Sequence, residues 1–153
     1  MLLSRGVTGI ESRKDGSPSL SDYQAFRGHC YITAREAGWS VREVLAPRQA
    51  IACNYALAVF ASRESAITAV LNGVFPLLAF ADPPTEGQLD LDFVDCAALG
   101  SAFEQLGYTV LPAAELSRLL KREMWQGLAP HEQKQVRYFR PRRVGDVIYN
   151  YWD

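Results

Sequence analysis

Four arginines, Arg137, Arg140, Arg142 and Arg143, crowd into seven residues of the segment RYFRPRRVGDVIYNYWD, with Tyr138 and Phe139 between them. Guanidinium forks grip phosphate or carboxylate oxygens in pairs, and aromatic rings stack against flat ligands. Arg140, Arg142 and Arg143 are therefore the candidate anion-binding residues. A purely structural use competes with this one. Arginines near the end of a helix favour its dipole, and Arg142 or Arg143 can pair with Asp146. A second constellation is acidic. Asp82, Glu86, Asp90 and Asp92 fall in or beside a proline-rich loop and are the candidate contacts for a basic protein partner. Asp90 and Asp92 would share one face of a strand and could hold a hard cation. The stretch lacks the glycine and the spaced glutamate of a calcium loop, so no metal is expected.

Recognised catalytic signatures are missing. HExxH, GxSxG, the phosphate-binding P-loop and GxGxxG do not occur. His29 sits beside Cys30, but helix neighbours point about 100° apart, which disfavours a nucleophile–base pair. No catalytic residue and no cofactor are assigned. Cys30, Cys53 and Cys96 form no CxxC pair and read as reduced, mostly buried thiols.

The charge layout says more than its sum. Glu64 to Ser117 carries eight acids and no Lys, Arg or His, whereas Arg118 to Arg143 carries eight Lys or Arg and two acids. Either the two stretches face each other within one fold, or one of them is a binding face. A net charge of −1 disfavours nucleic acid as the partner. No apolar run approaches the length of a membrane span. The opening MLLSRGVTGI is too weakly apolar for a secretory signal, so a cytoplasmic location is expected.

The elements that must position these residues follow from periodicity. Residues 1–20 read as a strand or loop lead-in, and 21–153 as one α+β domain. Ser21 and Gln24 form a capping-box pattern, Tyr23, Phe26, Cys30, Ala34 and Ala37 recur at helical spacing, and Gly38 caps the end. Apolar runs at 39–45, 54–61, 66–71 and 74–81 predict an antiparallel meander. Asn72-Gly73 suggests a two-residue hairpin, but such a hairpin would require an N–H from Pro76. Either a bulge relieves that conflict or the loop is longer. Leu89 to Val94 reads as a short strand, Asp95 as the cap of a helix over 96–106, and Pro112 and Pro130 as starts of two further helices. Pro141 biases Arg140 toward an extended backbone. Asp146 to Trp152 alternates like a closing strand, latched by arginines to the acidic middle.

The ending RPRRVGDVIYNYWD, with HEQKQVRYFRP and FPLLAFAD before it, resembles a group of small uncharacterised bacterial proteins with a C-terminal R-P-x-R-x-G-D-x-x-aromatic-N-x-W-D motif. The resemblance spans the second half of the chain and brings no chemistry with it. Three functional expectations result. The first is a cytoplasmic protein-binding domain, an immunity-like inhibitor of a toxin, with loop 82–92 as its contact. The second is a small phosphate- or nucleotide-binding enzyme using the arginines. A pocket joining them to Asp90 or Asp92 would support it, and salt bridges consuming all three would remove it. The third is a homodimer with a structural role.

Overall fold

The computed structural model describes residues 2–10, 22–47 and 53–152. The lead-in 11–20 and the Ser21 cap of the first helix lie outside them. Helix α1 spans Tyr23–Ala37, its first turn capped by Asp22, whose Oδ1 accepts from Ala25 N at 3.0 Å. Strands β1 (Ser40–Leu45), β2 (Tyr55–Ala61), β3 (Ala66–Asn72) and β4 (Leu77–Ala81) then form the expected antiparallel meander. Beyond β4 come β5 (Phe93–Val94), α2 (Ala97–Gln105) and β6 (Thr109–Val110). β5 pairs antiparallel with β4 at Phe80 and Ala81, and β6 pairs parallel with it at Leu77 and Leu78. Short helices α3 (Ala113–Leu116), α4 (Arg122–Trp125), α5 (Pro130–Phe139) and α6 (Val144–Ile148) complete the chain.

The sheet is covered on both faces, which is why β2 to β4 read as nearly continuous apolar runs. One face packs Ala58, Phe60, Ala69, Leu71 and Phe80 against Phe26 and Cys30 of α1 and Leu99 and Phe103 of α2. The other packs Tyr55, Val70, Ala79 and Ala81 against Leu116, Val136, Val147 and Trp152, with Leu3 and Val7. The first residues, 2–10, are not a strand. They make two successive turns, Val7 N to Ser4 O and Gly9 N to Gly6 O, both 3.1 Å.

Buried polar groups lock these turns in place. Glu132 of α5 is fully buried and accepts from Gly6 N, Thr8 N, Thr8 Oγ1 and Ala129 N. Asn54, Asn72 and Asn150 are also buried, and their amides donate to carbonyls of Val7, Thr8 and Ile148. Buried donors and acceptors without partners are costly, and here each of these side chains is engaged.

One alternative is decided and three expectations are corrected. The hairpin after β3 is the longer alternative: pairing closes at Leu71 and Leu78, and Pro76 lies outside the ladder. Asn72 Oδ1 caps that loop by accepting from Val74 N and Phe75 N. Gly73 is needed for close approach, because a Cβ there would sit 2.5 Å from Asn54 O. Asp95 does not cap α2, whose N-cap is Cys96; its Oδ1 accepts from Ala113 N of α3 at 2.9 Å. Arg140 is not extended but left-handed, at φ 50° and ψ 56°. The closing segment is helix α6 followed by an extended end, not a strand. Val144, Val147 and Ile148 are all buried, and their i, i+3, i+4 spacing suits a helical turn as well as alternation suits a strand.

Candidate functional site

Three segments meet at the β5 side of the sheet. The first is the loop 82–92, an ordered excursion closed at its base by Asp82 N to Asp92 O at 2.9 Å. Inside it, Gln88 accepts from Thr85 N at 3.1 Å and donates to Asp90 O at 2.8 Å and to Asp92 Oδ2 at 2.9 Å. Gly87, at φ 79°, makes the turn at its tip. The second is the turn Phe139–Arg143 between α5 and α6. The third is the extended end, where Phe139 and Trp152 stack at 5.3 Å with ring planes 2° apart.

Arg143 joins them. It stands just before α6, and its backbone N donates to Asp146 Oδ2 at 3.0 Å. Its side chain grips the same carboxylate through Nε at 3.2 Å and Nη2 at 2.7 Å. Nη2 also donates to Leu91 O at 2.9 Å, and the guanidinium lies 5.1 Å from the centre of the Phe93 ring. The hydrogen bonds it donates to Asp146 hold Arg143 more firmly protonated, and the negative charges of Asp146, Asp90 and Asp92 add to this. Gly145 lets the segment close, since a Cβ there would fall 2.3 Å from the Phe93 ring. A second tie runs from Tyr151 Oη to Asp90 Oδ1 at 3.0 Å; burial and then this bond raise the Tyr151 pKa.

The sequence-named residues divide accordingly. Asp82, Glu86, Asp90 and Asp92 are all exposed, and none forms an ion pair with a described residue. Arg140 and Arg142 are exposed, and their guanidinium groups make no hydrogen bond or ion pair to a described residue. Arg143 is consumed by the fold. Apart from the local pair of Glu115 with Arg118 at 3.3 Å, the acidic and basic stretches touch without forming ion pairs among the described residues. Two adjoining pockets occupy the junction. One, of about 220 Å³, joins Asp90 to Arg140, Arg142, Tyr151 and Trp152. The other, of about 380 Å³, joins Asp90 and Asp92 to Leu119, Arg142 and Arg143.

Sequence reasoning missed Leu119, 67% exposed on the wall of the larger pocket, and Tyr151, 36% exposed on that of the smaller. The Asp146 cap was legible as an acid three residues after Arg143. Leu119 carried no signal, because only the pairing of residues 118–120 with 142–144 brings it to the site. Away from this site, His29 Nδ1 bonds Tyr108 Oη at 2.8 Å, tying α1 to the end of α2, while Cys30 is buried in the core and its thiol is pushed up to about 12 by desolvation. Among the described residues no three His, Cys, Asp or Glu are grouped to hold a metal ion, and no helix is long and apolar enough to cross a membrane.

No protein-family model matches the chain, and no curated protein or solved structure is significantly similar to it.

Proposed function

We propose that this chain is a protein-binding domain of the immunity-inhibitor kind, which receives a basic protein partner on the loop 82–92. The observation that carries the reading is that Asp90 and Asp92, exposed with Asp82 and Glu86 on one loop, form no ion pair with a described residue although Arg142 lines a pocket with both of them. The surroundings fit an interface centre. Leu89 is 48% exposed on the loop itself, and Leu119 and Tyr151 lie exposed around the pockets, so a partner would cover apolar area inside a charged rim. Exposed like charges on an ordered loop speed capture of an oppositely charged protein by steering.

The test is affinity capture from the host lysate, repeated with the double variant Asp90→Lys/Asp92→Lys. The reading expects one basic protein, held in a salt-sensitive complex, to be recovered by the parent and lost by the variant. Recovery that is indifferent to the charge reversal, or no recovered protein, would overturn it. The phosphate reading retains one specific support: a pocket does join Arg140 and Arg142 to Asp90. It no longer includes Arg143.

A further inference from the structure

The turn after α5 holds a side chain where the backbone disfavours one. Arg140 is the one non-glycine residue with positive φ among the described residues. Helix α1 ends in the same way, with a left-handed cap whose N–H bonds the carbonyl four residues back. There the cap is Gly38, bonded to Ala34 O; here it is Arg140, bonded to Val136 O. Glycine takes this conformation freely, whereas a Cβ meets the following carbonyl. Pro141 adds to the conflict by biasing its predecessor toward an extended backbone. The Arg140 side chain is exposed and has no partner among the described residues. Backbone strain that packing does not explain gathers at ligand-binding positions.

Arg142 is exposed and has no partner among the described residues either, and both arginines line the same pocket of about 220 Å³. Of the carboxylates on its wall, only Asp146 is neutralised by an arginine. Asp146 is gripped by Arg143, and Asp90 accepts from Tyr151 Oη. Two arginines without a carboxylate partner among the described residues are left lining a space ample for a small anion.

We propose that Arg140 and Arg142 form an oxyanion-binding subsite that takes a phosphate or carboxylate group. It requires no protein partner, but it shares Asp90 and Tyr151 with the face proposed for one. Asp90 on its wall repels a polyphosphate chain, so the ligand carries a single such group.

The full-length protein is titrated with inorganic phosphate and, separately, with acetate in a low-chloride buffer, followed by ¹⁵N-resolved NMR. Saturable shifts are expected at the Nε–H signals of Arg140 and Arg142 and at the indole N–H of Trp152, with Arg143 unmoved. Tighter binding of phosphate assigns a phosphate-bearing ligand, and equal or tighter binding of acetate assigns a carboxylate; both support the subsite. Arg140→Gly should weaken binding about tenfold, the loss of one charge-assisted contact, and should raise the melting temperature. Arg142→Gln should weaken binding similarly and leave the melting temperature unchanged. A linear, unsaturated response, or affinity unchanged in both variants, overturns the subsite. A lower melting temperature for Arg140→Gly overturns it too, because the arginine would then serve the fold.

Discussion

Replacing Glu132 with glutamine isolates one atom of the buried network. Oε1 accepts from Gly6 N at 3.1 Å, Thr8 N at 3.2 Å and Thr8 Oγ1 at 2.5 Å, and Oε2 accepts from Gly6 N at 3.0 Å and Ala129 N at 2.9 Å. A glutamine oxygen can replace one carboxylate oxygen only. Its NH₂ then points at N–H groups, donor against donor, whichever way the amide is turned. At least one buried N–H loses its acceptor, at about 1–3 kcal/mol, and the surviving bonds lose the charge that roughly doubles their strength. Glu132→Gln should therefore cost about 3 kcal/mol, which for a chain of this size lowers the melting temperature by about 6–12 °C. Urea and thermal unfolding measure the loss. Amide exchange locates it, since Gly6 and Thr8 should exchange faster while β3 is unaffected beyond the global change. Lys134→Gln, on the exposed side of the same helix, is the control and should stay within about 0.5 kcal/mol of the parent. If Glu132→Gln were as stable as that control with Gly6 and Thr8 equally protected, the carboxylate would not be the anchor of the first turns.

Arg143→Ala should cost about 1–2 kcal/mol in urea unfolding, because it removes the Asp146 grip and the bond to Leu91 O at a partly exposed site; Arg142→Ala should change stability by less than about 0.5 kcal/mol, and equal effects would contradict the division between them. Gly145→Ala forces a Cβ toward the Phe93 ring and should destabilise by about 2–3 kcal/mol, again read by urea unfolding, with a neutral result refuting the close packing. Burial raises the Cys30 pKa from 9.0 to about 12, so the native state keeps a proton that the unfolded chain gives up. That stabilisation is complete below pH 9.0 and is lost as pH rises toward 12, at up to about 1.4 kcal/mol per unit. Buried Tyr149, also shifted upward, steepens the decline above its ordinary value of 10.0. The urea midpoint should fall from about pH 9 upward and Cys30→Ala should flatten the first part of the fall; a constant midpoint to about pH 10.5 would contradict this linkage.

The sheet was legible because both its faces are buried, so β2, β3 and β4 announce themselves as apolar runs with few competing patterns. Pro76 also signalled correctly that a tight hairpin was impossible there. The closing segment was misread because seven residues of mixed apolar and polar character satisfy both periods, and the deciding fact, Phe93 pressed against Gly145, is a contact over fifty residues away in sequence. Asp95 looked like a cap for the helix beside it, yet its oxygen serves α3, a choice made by tertiary placement alone. Arg140 departed from the proline rule because the α5 cap bond to Val136 O holds it left-handed. The site's charges could be named from the sequence. Their division into an engaged arginine and two unengaged ones could not, since that depends on which guanidinium reaches Asp146 and Leu91.

The amide of Asn150 donates to the carbonyl of Thr8, a contact that spans 142 positions, and Asn54 and Asn72 hold Ile148 in the same knot. During synthesis the α1 and α2 side of the sheet has all its material well before the ribosome reaches this region. The opposite side does not, and until residues 144–152 emerge, Tyr55, Val70, Ala79 and Ala81 lack the cover that Val147 and Trp152 provide. The nascent chain thus passes through a stage with one finished face and one sticky one, the kind of species that chaperones hold and that aggregates when crowded. Closure of such distant partners is also slow, so completion of the native fold waits on residues 144–152 rather than on the sheet that makes up most of the core.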